Sequence, residues 1–180
     1  MAQIELSRNQ LGRLGETAVA LELMKRGYDV INLNDAIKNF QNADLLCVSS
    51  ESGKTLLIQV KTGSTKNIQC GLVSTTDGVI KDLDKKIICP WVFVHVTTKG
   101  NNNYSFEFFV LTREETLELI KTSNDWYTNQ WNRKLKNDVL VGVDVDWLRG
   151  QGSKESPNLH PEYTSSLQVT SENRWDKISL

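Results

Sequence analysis

Short apolar runs alternate with polar, glycine-bearing breaks along this chain, and their spacing predicts its elements. Leu11, Leu14, Ala18 and Leu21 recur at helical spacing between residues 7 and about 26, forming one apolar stripe. Ser7-Arg8-Asn9-Gln10 reads as a capping box with Leu6 and Leu11 as its hydrophobic staple, and Gly27 after Lys25-Arg26 is a stop signal. Gly12 and Gly15 each cost a helix about 1 kcal/mol relative to alanine, which predicts close approach of another backbone or a ligand. A strand over Tyr28–Asn32 follows, then two strands at 43–48 and 55–60 around a polar turn at 49–54. Residues 62–86 are mixed and polar, with an element near Gly71-Leu72-Val73 that the pattern does not define. Alternation returns at 91–96, and Gly100-Asn101-Asn102-Asn103 turns the chain into Tyr104–Leu111. Thr112-Arg113-Glu114-Glu115 is a second capping box, opening a helix to about residue 121. Helix, strands and returning helix predict an α/β fold with a central mixed sheet flanked by helices.

The chemistry gathers on the second and third of these strands. Asp44 opens one, and Gln59 and Lys61 close the next. An even-numbered loop centred on Ser52-Gly53 sets Asp44 opposite Lys61, and Gln59, two residues away, shares that face. The pairing puts a carboxylate, an amide oxygen and an ammonium at one end of a hairpin. Mg²⁺ takes hard oxygen ligands of this kind, and a lysine beside it stabilises charge growing on phosphorus. Glu16 lies off the apolar stripe of the first helix, which by itself describes a solvated helix glutamate.

Asn42-Ala43-Asp44-Leu45-Leu46 with Gln59-Val60-Lys61 resembles the PD-(D/E)XK nuclease superfamily, and within it the archaeal Holliday-junction resolvase-like branch. The resemblance covers roughly residues 8–115, with its specific part confined to about six positions. It implies a restriction-endonuclease-like core in which Asp44 and the residue at 59 hold Mg²⁺ (or Mn²⁺) and Lys61 helps activate the attacking water. Leu11-Gly12-Arg13-Leu14-Gly15-Glu16 matches the stretch from which resolvase-like members send a glutamate to the metal, so Glu16 joins Asp44 and Gln59 as a ligand. Ala43 replaces the proline of the motif, which does no chemistry. Gln59 replaces an acid and removes one negative charge, although some branches resemble this chain in carrying a Q-x-K second motif.

Composition narrows the partners. With 39% hydrophobic and 24% charged residues over 180 positions, the chain is globular, and residues 1–149 read as one nuclease-like domain. Residues 150–180 read as a loop and a short helix built on Trp175 and Ile178, packed on the same domain or a partner. A net charge of −1 means that any DNA-binding surface is local. Lys66 and the Arg8/Arg13 edge lie near the proposed site by connectivity. Trp126, Tyr127 and Trp131 followed by Arg133, Lys134 and Lys136 mix rings and cations as phosphate contact and base stacking require; the plainer alternative is that the tryptophans cover the sheet. His95 alternates with Trp91 and Phe93 and reads as a packed histidine; Asp82, Asp84, Lys85 and Lys86 read as a solvated turn. Asp144 and Asp146 look like a strand edge entering a loop. Cys47, Cys70 and Cys89 suit reduced, buried thiols in a cytoplasmic protein, and no run suits a membrane span.

The expected function is therefore metal-dependent hydrolysis of DNA phosphodiester bonds by an endonuclease of restriction, repair or mobile-element type. Cutting both strands with one site per chain favours a homodimer. The alternative is a catalytically silent nuclease-fold module that grips nucleic acid or a protein, which Gln59 favours and Asp44, Glu16 and Lys61 disfavour.

Overall fold

A computed structural model describes residues 6–37, 40, 42–99, 103–130, 137–152, 163–167 and 169–178. The first helix, α1 (Arg8–Met24), starts at Ser7, whose hydroxyl caps Gln10 N while the Gln10 side chain returns to Ser7 N. The chain leaves α1 through Gly27 in the left-handed region at φ +85°, where a side chain would be strained. Strand β1 (Tyr28–Asn32) leads to a single turn, α2 (Leu33–Ala36), capped by the Asn32 side chain. The hairpin β2 (Leu45–Ser49) and β3 (Thr55–Gly63) follows, then β4 (Asn67–Ser74) and a second short turn, α3 (Leu83–Lys86). Strands β5 (Trp91–Thr98) and β6 (Tyr104–Leu111) form the last hairpin of the main sheet before α4 (Arg113–Asp125), which begins on the capping box of Thr112 and Glu115. A π-helical turn, Trp126–Gln130, extends α4; β7 (Val139–Asp144) and α5 (Val145–Leu148) come next.

The protein is a mixed α/β fold. Its central sheet has five strands in the order β1-β2-β3-β5-β6, all antiparallel except the β3–β5 pair. That parallel pair requires a crossover, and β4 and α3 lie within it. One face of the sheet carries Leu45, Ile58, Val60, Val92 and Val94, buried under Val19 and Leu23 of α1. The other carries Trp91, Phe93, Phe109 and Leu111, buried under a separate antiparallel pair, β4–β7, and under α4. Residues between these layers alternate along each strand, so neighbouring side chains of β3 serve different layers.

The fully buried positions of α1 are Gly15, Val19 and Leu23; of the expected stripe, Leu11 and Leu14 pack partly buried on the same core, whereas Leu21 is 53% exposed, which corrects its place in it. The reason is Gly15. A Cβ there would lie 1.9 Å from Thr62 Oγ1 and 2.9 Å from Thr62 Cβ, so the missing side chain lets α1 settle directly on β3. Gly12 has no such neighbour within 4 Å. The undefined stretch near Gly71 is β4, interrupted by a bulge between Gln69 and Leu72 with Gly71 at φ +71°.

Trp126 lies in the core with Trp147 and Tyr163, their ring centroids 6.0 and 5.4 Å away, which corrects any role for it as an exposed base-stacking ring. His95 is held structurally: its Nδ1 is 2.7 Å from Glu107 Oε2, and Glu107 Oε1 accepts from Arg149 Nη2 at 2.6 Å. Described residues after 150 return to the same body. Ser171 O accepts from Val110 N, and Trp175, in the 3-10 turn Trp175–Ile178, packs on Phe108. All three cysteines are free and buried. Among the described residues no helix is long and apolar enough to cross a membrane.

The two helix glycines should respond oppositely to alanine. Gly15→Ala should lose about 1–3 kcal/mol through overpacking against Thr62, because rotating Thr62 does not remove its Cβ from the clash. Gly12→Ala should gain about 0.5–1 kcal/mol from helix propensity alone. Urea unfolding of both variants measures the contrast, and equal effects would remove the close-approach explanation for Gly15.

Candidate active site

Asp44 stands where β2 has not yet begun. The ladder pairs Leu45 with Ile58, and Asp44 N donates to Ile58 O at 2.9 Å, so continuing the register sets Asp44 opposite Gln59. This corrects the expected pairing of Asp44 with Lys61. Gly53, at φ +68°, donates to Ser49 O inside the turn and moves the hairpin's centre back toward Glu51-Ser52. Gln59 and Lys61, two residues apart on β3, share a face, while Asp44 reaches Gln59 from just outside the β2 ladder.

The carboxylate of Asp44 takes over the sheet's hydrogen bonding at this point. Its Oδ2 accepts from Val60 N at 2.8 Å, a backbone donor that β2 has no residue to satisfy, and also from the side-chain amide of Gln59. Its Oδ1 accepts from Asn34 Nδ2 at 3.0 Å, which brings in α2. Glu16 arrives from α1 on the other side of Asn32. Its Oε2 accepts from Asn32 Nδ2 at 2.8 Å, while Asn32 Oδ1 caps α2 by accepting from Asn34 N at 2.9 Å. Burial pushes the Glu16 carboxyl above its ordinary pKa; the Asn32 hydrogen bond opposes this, and the charge of Asp44 adds to it. Two acids thus share a half-buried spot, each surrounded by amide donors. Arg13, the nearest basic residue along α1, is turned to Asp35 at 2.9 Å.

Lys61 lies on the face of β3 that carries Gln59. Its Nζ lies 5.1 Å from the centroid of the Trp91 ring, and 3.8 Å from where a Cβ on Gly71 would stand. Gln59 and Lys61 line one cleft of ≈ 380 Å³ between the sheet and β4. Asn42, at its rim, holds the left-handed backbone (φ 69°) that asparagine tolerates, and so turns the chain into Ala43 and Asp44. Ala43 is buried with Leu33 and Cys89, so the residue in the proline's place serves packing.

The donor set fits a hard cation. Glu16, Asp44 and the Gln59 amide oxygen are oxygen ligands of the kind Mg²⁺ prefers, and Mg²⁺ commonly takes only one or two carboxylates with waters and substrate phosphate. Among the described residues no three His, Cys, Asp or Glu side chains cluster for a metal, and Gln59 presents its amide nitrogen to Asp44.

The remaining sequence candidates are dispersed. Arg8 is exposed at the start of α1, Arg13 is engaged with Asp35, and Lys66 is paired with Asp146 at 3.3 Å. Arg133 and Lys134, with Trp131 and Lys136, lie outside the described residues. Asp144 caps α5 by accepting from Asp146 N, in keeping with a strand end entering a turn. Asp82, Asp84 and Lys85 are exposed, as expected of a solvated turn, and Lys85 and Lys86 also line the cleft of Gln59 and Lys61. Local pattern carries no signal for this, since only the crossover from β3 to β5 brings α3 beside β3.

No family model matches the chain, and no curated protein matches it in sequence. Among solved structures, a bacterial homing endonuclease, I-Ssp6803I, is similar over 97% of this chain and 92% of its own, with 12% identity and a TM-score of 0.43. A likeness that distant carries no residue across.

The raised Glu16 pKa has a defined consequence for stability. A carboxyl whose pKa is raised on folding opposes folding once it is ionised. The penalty is absent below the unfolded value, grows as pH rises through the raised folded value, and is constant above it. Glu16→Gln keeps an acceptor for Asn32 without the charge. Thermal melts in EDTA should show it more stable than the unaltered chain at pH 7, with the gain vanishing toward pH 4. A gain that persists unchanged at low pH would show that charge is not its source.

Proposed function

We propose that this chain is a metal-dependent DNA endonuclease of the PD-(D/E)XK type with a Q-x-K second motif. The observation that carries the reading is the meeting of Asp44 with Gln59 and the Val60 N–H, within electrostatic reach of Glu16. Two acids brought together in a half-buried spot, one of them raised in pKa by burial and by the other's charge, form an arrangement that a divalent cation relieves. Asp44, Glu16 and the Gln59 amide oxygen would hold Mg²⁺ or Mn²⁺, which supplies Lewis-acid polarisation of a phosphoryl oxygen and acidifies water.

The protein's own groups have separable roles. Asp44 is oriented by three donors, the Val60 N–H and the amides of Gln59 and Asn34, so its free lone pairs are held in one direction. Lys61, its stem along Trp91, supplies a positive charge toward phosphate oxygens as charge grows on phosphorus. A silent nucleic-acid-binding module is the second reading, and one observation favours it: the Gln59 side chain donates to Asp44 and brings no third negative charge.

Plasmid nicking and cleavage of branched DNA, with and without Mg²⁺ or Mn²⁺, test the proposal. The unaltered chain should cut, and Asp44→Asn and Lys61→Ala should each lose at least about 10²-fold in rate. Cutting at an unaltered rate in either variant would assign the activity to a contaminant. Gln59→Glu separates the two readings: in an active site it should tighten Mg²⁺ binding and sustain cutting at lower Mg²⁺. In a silent module it should leave cation binding unchanged and weaken binding to DNA by adding a charge beside phosphate.

A further inference from the structure

The cleft that Gln59 opens onto has a wall of one sign. Lys61, Lys85 and Lys86 line it, and among the described residues no carboxylate does. In a chain whose net charge is −1, such sorting is local. The neighbouring acid Asp84 faces Arg113 instead, 3.9 Å away. Asp82 pairs with Lys85 at 2.8 Å, but both side chains are mostly exposed, and a solvated pair of that kind exchanges readily for a stronger anion. Among the described residues neither Lys61 nor Lys86 forms an ion pair. The two lysines of α3 are held firmly, because the flanking Leu83 and Ile87 are buried in the core beneath the second sheet. The opposite wall is formed at the β4 bulge by Gly71, which lies close to the Lys61 ammonium.

We propose that this cleft is the phosphate track of the DNA substrate, with Lys85 and Lys86 of α3 gripping backbone phosphates on the far side of Lys61 from Asp44. The inference rests on the nuclease reading of the neighbouring acids and adds to it the route of the strand. DNA leaves the acids past Gln59 and Lys61 and crosses α3, on the face of the sheet away from α1. Lysines serve as point charges here, so the contacts position the backbone without reading sequence.

The test is binding of a fluorescently labelled DNA duplex in EDTA across a salt series. Each phosphate contact contributes roughly 0.9 to the slope of log affinity against log salt, so Lys85→Gln with Lys86→Gln should flatten it by roughly 1.8. Lys85→Arg with Lys86→Arg should retain the slope, as should Lys54→Gln in the distant β2–β3 turn. An unchanged slope in the double glutamine variant, or an equal loss with Lys54→Gln, overturns the track. Should Asp44→Asn abolish cutting while the double variant binds and cuts normally, the track alone fails and the nuclease stands. Should the slope flatten as expected in a chain that never cuts, the track stands and the nuclease fails. A chain that binds no DNA at low salt overturns both.

Discussion

A single carboxylate closes the central sheet where β2 gives out, and the arrangement around it depends on that substitution of side chain for strand. The Val60 N–H faces the position that the next ladder residue of β2 would occupy, and Asp44 Oδ2 accepts from it instead. A buried backbone donor left unpaired costs about 1–3 kcal/mol, so Asp44 cannot swing away without loss. Its orientation is therefore set by the fold before any ligand arrives. The same bond explains why the acid stands at the start of β2 and not within it: one residue further on, the ladder would be made by backbone alone.

Close backbone approach places the other groups. Glu16 reaches Asn32 because Gly15, one residue earlier, lets α1 rest on Thr62 of β3. Lys61 lies between Trp91 and the β4 bulge, where Gly71 presents no side chain to it. At Gly15 the missing side chain lets two backbones approach, and at Gly71 the positive φ shapes the bulge next to Lys61. The cost falls on stability: Glu16 is held where both burial and Asp44 oppose its ionisation. A core designed for stability alone would not bring two acids together, and that cost is what the proposed cation would offset.

Much of this was legible in the chain. Tyr28–Asn32 and Tyr104–Leu111 are strands with the expected bounds, and both capping boxes start their helices, because these signals are local. The shared face of Gln59 and Lys61 follows from their spacing of two on β3, and Asp44 meets Gln59 from the end of β2 instead of facing Lys61. What failed was long-range. The buried face of α1 was misjudged because glycine scores as no hydrophobe, yet Gly15 forms the contact. The pairing of β4 with β7 joins segments some seventy residues apart, and neither run announces its partner. Lys85 and Lys86 are ordinary turn residues until the crossover carries them beside β3.

Position 59 shows how the two halves of the site bear on each other. A glutamate there would face Asp44 as a like charge at hydrogen-bonding distance, in a place where Glu16 is already disfavoured as an anion. The amide instead donates to Asp44, so the metal-free protein keeps a satisfied, less strained site. That relief has a price on the proposed reading: with fewer negative charges, the acids hold a hard cation less tightly. Substrate phosphate can restore the missing anionic ligand, so cation and DNA would bind cooperatively, each improving the site for the other. Lysines beside the acids extend the same logic, because they hold the phosphate that completes the donor set. A neutral residue in the second motif then reads as a shift of affinity from the free protein to its complex, and the basic cleft next to it is what makes such a shift workable.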